Sequence, residues 1–413
     1  MSLINSTAIP SGASAYEIGH SVRFDETSNA SLSRTPSSEG NRQTWTYSMW
    51  VKRGDLAHFN TYLFAANGRY GVACYFYNDT LGFLVNYASV GRGLESNTVF
   101  RDTSAWYHIV AVLDVTESTA ADRMRLYVNG SRLTDFGHNT VHYLPQNTDM
   151  LGMNMTTLQE ISGGGRYPDT VRFDGHIAEV NFIDGVAKLP SDFAETGDYG
   201  EWKPKAYSGS YGSKGFYLDF ADSGNLGDDE SGNGGDFAEN NIAATDQMLD
   251  SPTNNFATWN PLTKPAAAVV FAEGNLWADS TSSWAAILAT HSVTTGKWYW
   301  EVSEFQTSDV WVGAVVSSVN SGIDVVQSEN GAVSYKASGE SRIDNSSTGS
   351  WGASWSGSDI IGVALDLDSG TKTIKFYKNN SLQGTINLTA NFTGGIVPFV
   401  DAYTSYFTAN FGQ

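Results

Sequence analysis

Short alternating or apolar runs, each closed by glycine, asparagine or aspartate, recur along this chain and constrain it to sheet. Thr44-Trp-Thr-Tyr-Ser-Met-Trp-Val alternates, which puts Trp45, Tyr47 and Met49 on one face and Thr44, Thr46, Ser48 and Trp50 on the other. Trp106-Tyr-His-Ile-Val-Ala-Val-Leu reads as a buried strand, and Arg125-Leu-Tyr-Val-Asn-Gly-Ser-Arg-Leu as two strands joined at Asn129-Gly130, a strong hairpin signal. Phe173-Asp-Gly-His-Ile-Ala-Glu-Val-Asn-Phe-Ile follows in the same style. Later come Lys297-Trp-Tyr-Trp-Glu-Val, Val310-Trp-Val-Gly-Ala-Val-Val, Asp359-Ile-Ile-Gly-Val-Ala-Leu-Asp-Leu and Thr373-Ile-Lys-Phe-Tyr-Lys-Asn-Asn. The sequence therefore predicts an all-β protein of two antiparallel, jelly-roll-type β-sandwich domains. Only Pro190-Ser-Asp-Phe-Ala-Glu has a helical start.

Composition agrees. Charged residues make up 16% of the 413, against a usual ~25%, while aromatics reach 13% and glycine 42 residues. Such a mixture suits twisted strands and tight turns. The net charge of −20 disfavours a phosphate-backbone ligand, so no nucleic-acid partner is expected. No apolar run is long enough for a membrane helix, and the first residues carry no basic, apolar leader, so neither membrane insertion nor a signal peptide is expected. The single cysteine, Cys74, excludes an intrachain disulfide and sits in an apolar run, which predicts a buried, inert thiol.

Residues 1–20 read as an arm and 21–200 as the first sandwich. Residues 201–265 read as an acidic connector containing glycine and proline, partly packed on that sandwich, and 266–413 as the second sandwich, with the boundary near Pro265. The acidic texture peaks between Asp219 and Asp250, a span without lysine or arginine. The closing Tyr406-Phe-Thr-Ala-Asn-Phe-Gly reads as a strand tied into a sheet.

Two resemblances rest on these runs. Thr46-Tyr-Ser-Met-Trp-Val-Lys, Trp106-Tyr-His-Ile-Val-Ala-Val, Leu126-Tyr-Val-Asn-Gly and Phe173-Asp-Gly-His-Ile-Ala-Glu-Val, in this order, resemble the concanavalin-like, laminin-G-type jelly roll. Gly296-Lys-Trp-Tyr-Trp-Glu-Val, Val312-Gly, Asp359-Ile-Ile-Gly-Val-Ala-Leu-Asp-Leu, Ile374-Lys-Phe-Tyr-Lys-Asn-Asn and Asn410-Phe-Gly resemble a SPRY (B30.2-like) domain. Asn379-Asn380 stands where that family usually has Asn-Gly, and asparagine tolerates the left-handed turn. Tyr16-Glu-Ile, Ser21-Val-Arg-Phe, Leu32-Ser-Arg-Thr-Pro-Ser and Gly40-Asn-Arg-Gln-Thr-Trp are similar to laminin-G-like domains of phage structural and tail proteins. That resemblance implies a virion component, assembled in the host cytoplasm: a tail fibre, spike or capsid-decorating fibre.

Catalytic motifs are missing: there is no His-Glu-x-x-His, no Walker lysine, no Gly-x-Ser-x-Gly and no Glu-x-Asp-x-Glu strand, so no enzyme is expected. His108 in its apolar strand reads as a core or pocket-wall histidine. His138 and His142 have ligand spacing only for a helix, which this stretch is not. Asp228, Asp229, Asn233 and Asp236 form the best metal candidate, an oxygen-rich loop with calcium as the expected ion. Asn240 stands where an EF-hand needs its bidentate glutamate, and a plain turn cluster is the competing reading. Trp351 and Trp355, in Ser350-Trp-Gly-Ala-Ser-Trp-Ser-Gly-Ser, are the candidate ligand-binding residues, free to stack on a sugar or anchor a partner unless they pack beneath their loop. Trp298, Trp300 and Trp311 read as core, and Tyr75, Phe76 and Tyr77 cannot all face inward.

The functional expectation is adhesion to host-surface glycans or proteins by a homo-oligomer contacting other virion proteins. A purely structural virion part and a secreted lectin-like adhesin are the alternatives.

Overall fold

A computed structural model describes residues 16–54, 56, 61–67, 71–87, 90–137, 141–164, 172–263, 269–307, 309–318 and 330–413. Strands dominate, as the alternation requires, and the chain divides into two compact units at Asn255/Phe256. Pro265, where the sequence places the boundary, lies outside the described residues.

The first unit is a sandwich of two antiparallel sheets. One runs Ser131–Arg132, Met124–Val128, Trp106–Asp114, Thr44–Arg53, Gly175–Asp184, Ser21–Phe24, Gln247–Met248, with Phe216–Leu218 also on Gly175–Asp184. The other runs Ala238–Asn240, Ser31–Arg34, Gln159–Ile161, Thr61–Ala66, Val72–Tyr77, Thr80–Tyr87, Val90–Val99. Trp45, Tyr47, Met49 and Val51 enter the core between them, and Tyr47 stacks on Phe64 of the facing sheet at 3.9 Å. Ser48 and Trp50 point the other way, where Trp50, Trp106, Ala178 and Ala194 form a second cluster with Ile18. Cys74 is buried and burial pushes its thiol up, away from reactivity. Phe76 is core, while Tyr75 and Tyr77 are half-exposed.

The residues expected as a connector are largely part of this sandwich. Phe216–Leu218, Ala238–Asn240 and Gln247–Met248 pair into its sheets, and Phe216, Leu218, Phe220, Leu226 and Phe237 join its core. Pro190–Asp192 is a single 3-10 turn rather than an α-helix, with proline at its start. Asn129 and Gly130 both have positive φ, so the Met124–Val128 to Ser131–Arg132 hairpin turns as the residue pair requires.

The second unit is a curled sheet built about Ile396–Asn410, which pairs with Trp277–Leu288, Lys297–Ser303 and Val310–Val316. Trp259 belongs here, edge-on to Phe407 and Phe411. Asn379 and Asn380 both adopt positive φ and close the Thr373–Lys378 to Ser381–Asn387 hairpin. Trp300 and Trp311 are buried as expected. Trp298 is not: it is half-exposed beside Tyr299 and Tyr377 in a shallow groove of about 280 Å³, its indole N–H donated to the Thr295 carbonyl.

Candidate ligand-binding site

In the first unit the acidic loop folds back over the end of Ser31–Arg34. Asp184 fixes one wall: Oδ1 accepts from the Asn41 N–H and the Asn154 amide, and Oδ2 from the Ser213 hydroxyl and the Lys214 N–H. Asp229 fixes the other, accepting from the N–H groups of Tyr217 and Ser231 on Oδ1 and of Gly235 on Oδ2. Ala238–Asn240 then continues as an edge strand beside Ser31–Arg34.

Between these walls lies an open cleft of about 520 Å³, lined by residues including Ser33, Thr35, Ser37, Leu158, Lys214 and Asp236. Arg34 forms its floor. Its guanidinium donates to Gln159 Oε1, the Gly235 carbonyl and the Lys214 carbonyl, and stacks over Phe216 and Phe237 at 4.2 and 4.9 Å. Burial pulls this guanidinium down to about 10 while Asp229 opposes the shift, so it stays a cation at neutral pH. Arg34 and Lys214 thus bring two cations to the lining and Asp236 one carboxylate, with Asp229 acting on Arg34 from outside it, among hydroxyl-bearing residues and the apolar Pro36, Leu158 and Ala238. A near-neutral cleft rich in donors and acceptors suits a neutral, polyhydroxylated ligand.

The four proposed metal ligands are therefore brought to one loop but directed otherwise. Asp229 is spent on three backbone N–H groups, Asp236 accepts from the Asp229 N–H, and the Asn233 amide donates to the carbonyls of Gly212 and Gly215. Asp228 is half-buried in the same turn. Among the described residues no group of three His, Cys, Asp or Glu side chains converges as a metal site needs. The arrangement is that of a turn satisfied by its own hydrogen bonds, and Asn233 and Asp236 also line the cleft.

Both tryptophans proposed for ligand contact pack under their loop. Trp355 is 4% exposed, against Phe305 at 4.5 Å and Tyr335 at 6.1 Å. Trp351 is half-buried, edge-on to Tyr335 and Phe376 and lying on Gly384, whose missing side chain makes its room. The Tyr335 hydroxyl donates to the Ala353 carbonyl and draws the loop down. Exposed rings of this unit include Tyr406 and Tyr403, which pack across strands on the half-buried Trp277 and Trp284. Sequence reading missed them; the pairing of Trp277–Leu288 with Ile396–Asn410 is what brings them together.

The Ser48–His108 pair resembles a nucleophile and base only in distance, 2.9 Å from Oγ to Nε2. Trp202 donates its indole N–H to Nδ1, which leaves the imidazole hydrogen on Nε2, pointing at Ser48. A general base needs the opposite tautomer. His108 is also fully buried between Trp50 and Trp202, and burial holds it neutral, down at about 3. It is a wall histidine, as its strand suggests. His142 is exposed, and His138 lies outside the described residues.

Residues 297–413 match the SPRY domain family, and residues 25–188 match the family described as the concanavalin A-like lectin/glucanases superfamily. No protein of curated function matches the chain. Among solved structures it is similar to the PSpry domain of TRIM65, at 15% identity and a TM-score of 0.32 over 37% of this chain and 91% of that one. The SPRY domain of human HERC1 gives 17% identity and 0.31 over 37% and 96%. A heptameric SAP-like pentraxin from Limulus polyphemus gives 18% and 0.32 over 42% and 80%.

Proposed function

We propose that this chain, a concanavalin-like sandwich followed by a SPRY domain, is a non-catalytic adhesion protein of a phage particle, in the role of tail fibre, spike or capsid-decorating fibre. Its ligand is a host-surface glycan held in the Arg34 cleft. The observation that carries the reading is the cleft's chemistry: Ser33, Thr35, Ser37, Lys214 and Asp236 line one space, with Leu158 for an apolar sugar face. The particle setting is supported by the likeness of residues 16–53 to phage structural domains. A neighbouring virion protein as partner of the second unit is favoured by the exposed Tyr403 and Tyr406, each packed on a half-buried tryptophan, Trp284 and Trp277, because surface aromatic pairs suit a protein contact.

Ala238 lines the cleft from an exposed edge strand, so Ala238→Trp fills it without touching the core. Glycan-array and host-cell binding of the full chain should fall at least about tenfold in this variant, which corresponds to about 1.4 kcal/mol. Undiminished binding with an unchanged melting temperature would remove the cleft from the proposal.

A further inference from the structure

The strand Gly175–Asp184 is interrupted by a bulge: Ala178 pairs with Trp50 and Asn181 with Ser48, so Glu179 and Val180 share one partner position. Val180 goes to the core, and Glu179 takes a positive φ of 52° and faces outward beside Ala178. A glutamate in a conformation that favours glycine, inside a strand, is costly and is held by what its side chain does.

That side chain meets two phenols. The Tyr16 hydroxyl lies 2.6 Å from Glu179 Oε1, the Tyr217 hydroxyl 3.0 Å from Oε2, and the two hydroxyls lie 3.0 Å from each other. Three oxygen–oxygen contacts need three hydrogens. Each phenol supplies one. With Glu179 ionised, two hydrogens serve three contacts and one close pair of oxygens faces bare. With Glu179 protonated the ring closes in one direction: carboxyl to one phenol, that phenol to the other, and the second back to the free carboxyl oxygen.

The surroundings favour the protonated form. Glu179 is buried, and no ion pair reaches it among the described residues. The cations of the flanking strands are engaged elsewhere, Arg23 with Asp246 and Lys52 with Asp250. From Phe216–Leu218 and the turn after it come Tyr217 and Asp219, and the field of Asp219 disfavours a second negative charge. From residues 205–215 comes Tyr211, whose hydroxyl donates to the Asn181 amide oxygen, while the Asn181 amide donates to the Glu179 carbonyl. Burial first, and then Asp219, push the carboxyl up to about 7, with the hydrogen bonds from Tyr16, Tyr217 and Asn181 opposing.

We propose that Glu179, Tyr16 and Tyr217 form a proton-binding latch, which fastens the segment beginning at Tyr16 to the first sandwich when protonated and releases it on ionisation. Among the described residues the segment is also held by Ile18, which sits in the outer cluster that Tyr16 packs against and exchanges two hydrogen bonds with the Thr253 hydroxyl. Closed, Glu179 titrates near neutrality; open, it titrates as an ordinary carboxyl. The closed-to-open ratio therefore falls by up to about tenfold per pH unit as pH rises through the window between those values, and levels off above it.

The test follows the full chain from about pH 5 to about pH 9 by two readouts. Hydrogen exchange at residues 16–21, corrected for intrinsic rates, should show protection that declines across the window in the wild type. Glu179→Gln, whose amide both donates and accepts, should hold its protection flat. The infrared carboxylic-acid band should persist in the wild type well above the ordinary carboxylate range, disappear near neutrality, and shift in Tyr16→Phe. An absent acid band, or the same slope in wild type and Glu179→Gln, would overturn the latch. The band is read on the wild-type chain, so it decides the matter even if the glutamine variant does not fold.

Discussion

The Lys52 ammonium sits 2.7 Å from Asp250 Oδ2, and both side chains are out of contact with water. The pair is well satisfied: Lys52 also donates to Asn255 Oδ1, and Asp250 Oδ1 accepts from the Trp106 indole, while its carbonyl takes the Ser21 hydroxyl. This clip fastens the last residues of the first unit to its central sheet. Asp250→Asn leaves a buried ammonium without its counter-charge and should destabilise that unit by about 3–5 kcal/mol. Urea denaturation followed by tryptophan fluorescence measures it. The double change Lys52→Met with Asp250→Leu should recover much of the loss.

Burial holds the folded-state His108 near 3, below its ordinary value of 6.5. Between these values the unfolded chain binds a proton that the folded chain refuses. Its stabilising contribution is therefore full above about pH 6.5 and is lost as pH falls towards 3, on the order of 5 kcal/mol at the limit. His108→Gln should flatten the acid limb of the melting-temperature profile. Glu179 acts in the opposite sense, adding stability at low pH that fades as pH rises towards about 7.

Trp355→Ala should cost about 3–5 kcal/mol through the cavity it leaves among Phe305 and Tyr335. Trp351→Ala should cost less, because that ring is only half-buried. Calorimetry of the full chain separates the two, and glycan binding at a temperature where both stay folded should match wild type.

Asp229→Ala removes the acceptor for three backbone N–H groups and should destabilise the cleft wall by about 1–3 kcal/mol. Because those oxygens are already engaged, chelator should leave the wild-type melting temperature unchanged. A chelator-induced fall would restore calcium to this loop.

Asn380 holds φ of 65° at the second position of its hairpin turn. Asn380→Gly relieves that conformation and should raise stability by a few tenths of a kcal/mol, up to about 1, read as a small upward shift in chemical-denaturation midpoint.

What could be read ahead of the structure was whatever depends on period and local turn chemistry. Trp45, Tyr47 and Met49 declare their face by alternation, and Asn129-Gly130 and Asn379-Asn380 declare their hairpins by tolerance of positive φ. Strands such as Phe216–Leu218 and Ala238–Asn240 are too short to carry a period, and exist because a distant strand offers its edge, so an integral part of the sandwich looked like a connector. The glycine- and serine-rich stretch around Trp351 and Trp355 does not encode that Tyr335, on another strand, pulls it down over them. The cleft and the Tyr16–Glu179–Tyr217 ring are assembled from residues far apart in sequence, and no spacing announces either.

The Ile396–Asn410 strand lies at the centre of its sheet and pairs on successive stretches with three strands made earlier. Trp277–Leu288, Lys297–Ser303 and Val310–Val316 each pair with other neighbours as well, but among the described residues the three groups of strands are joined to one another only through this strand, so each keeps one edge unpaired until it arrives. Folding of that half is then a single late closure, and the interval before it is when the chain is most open to mispairing with other copies of itself.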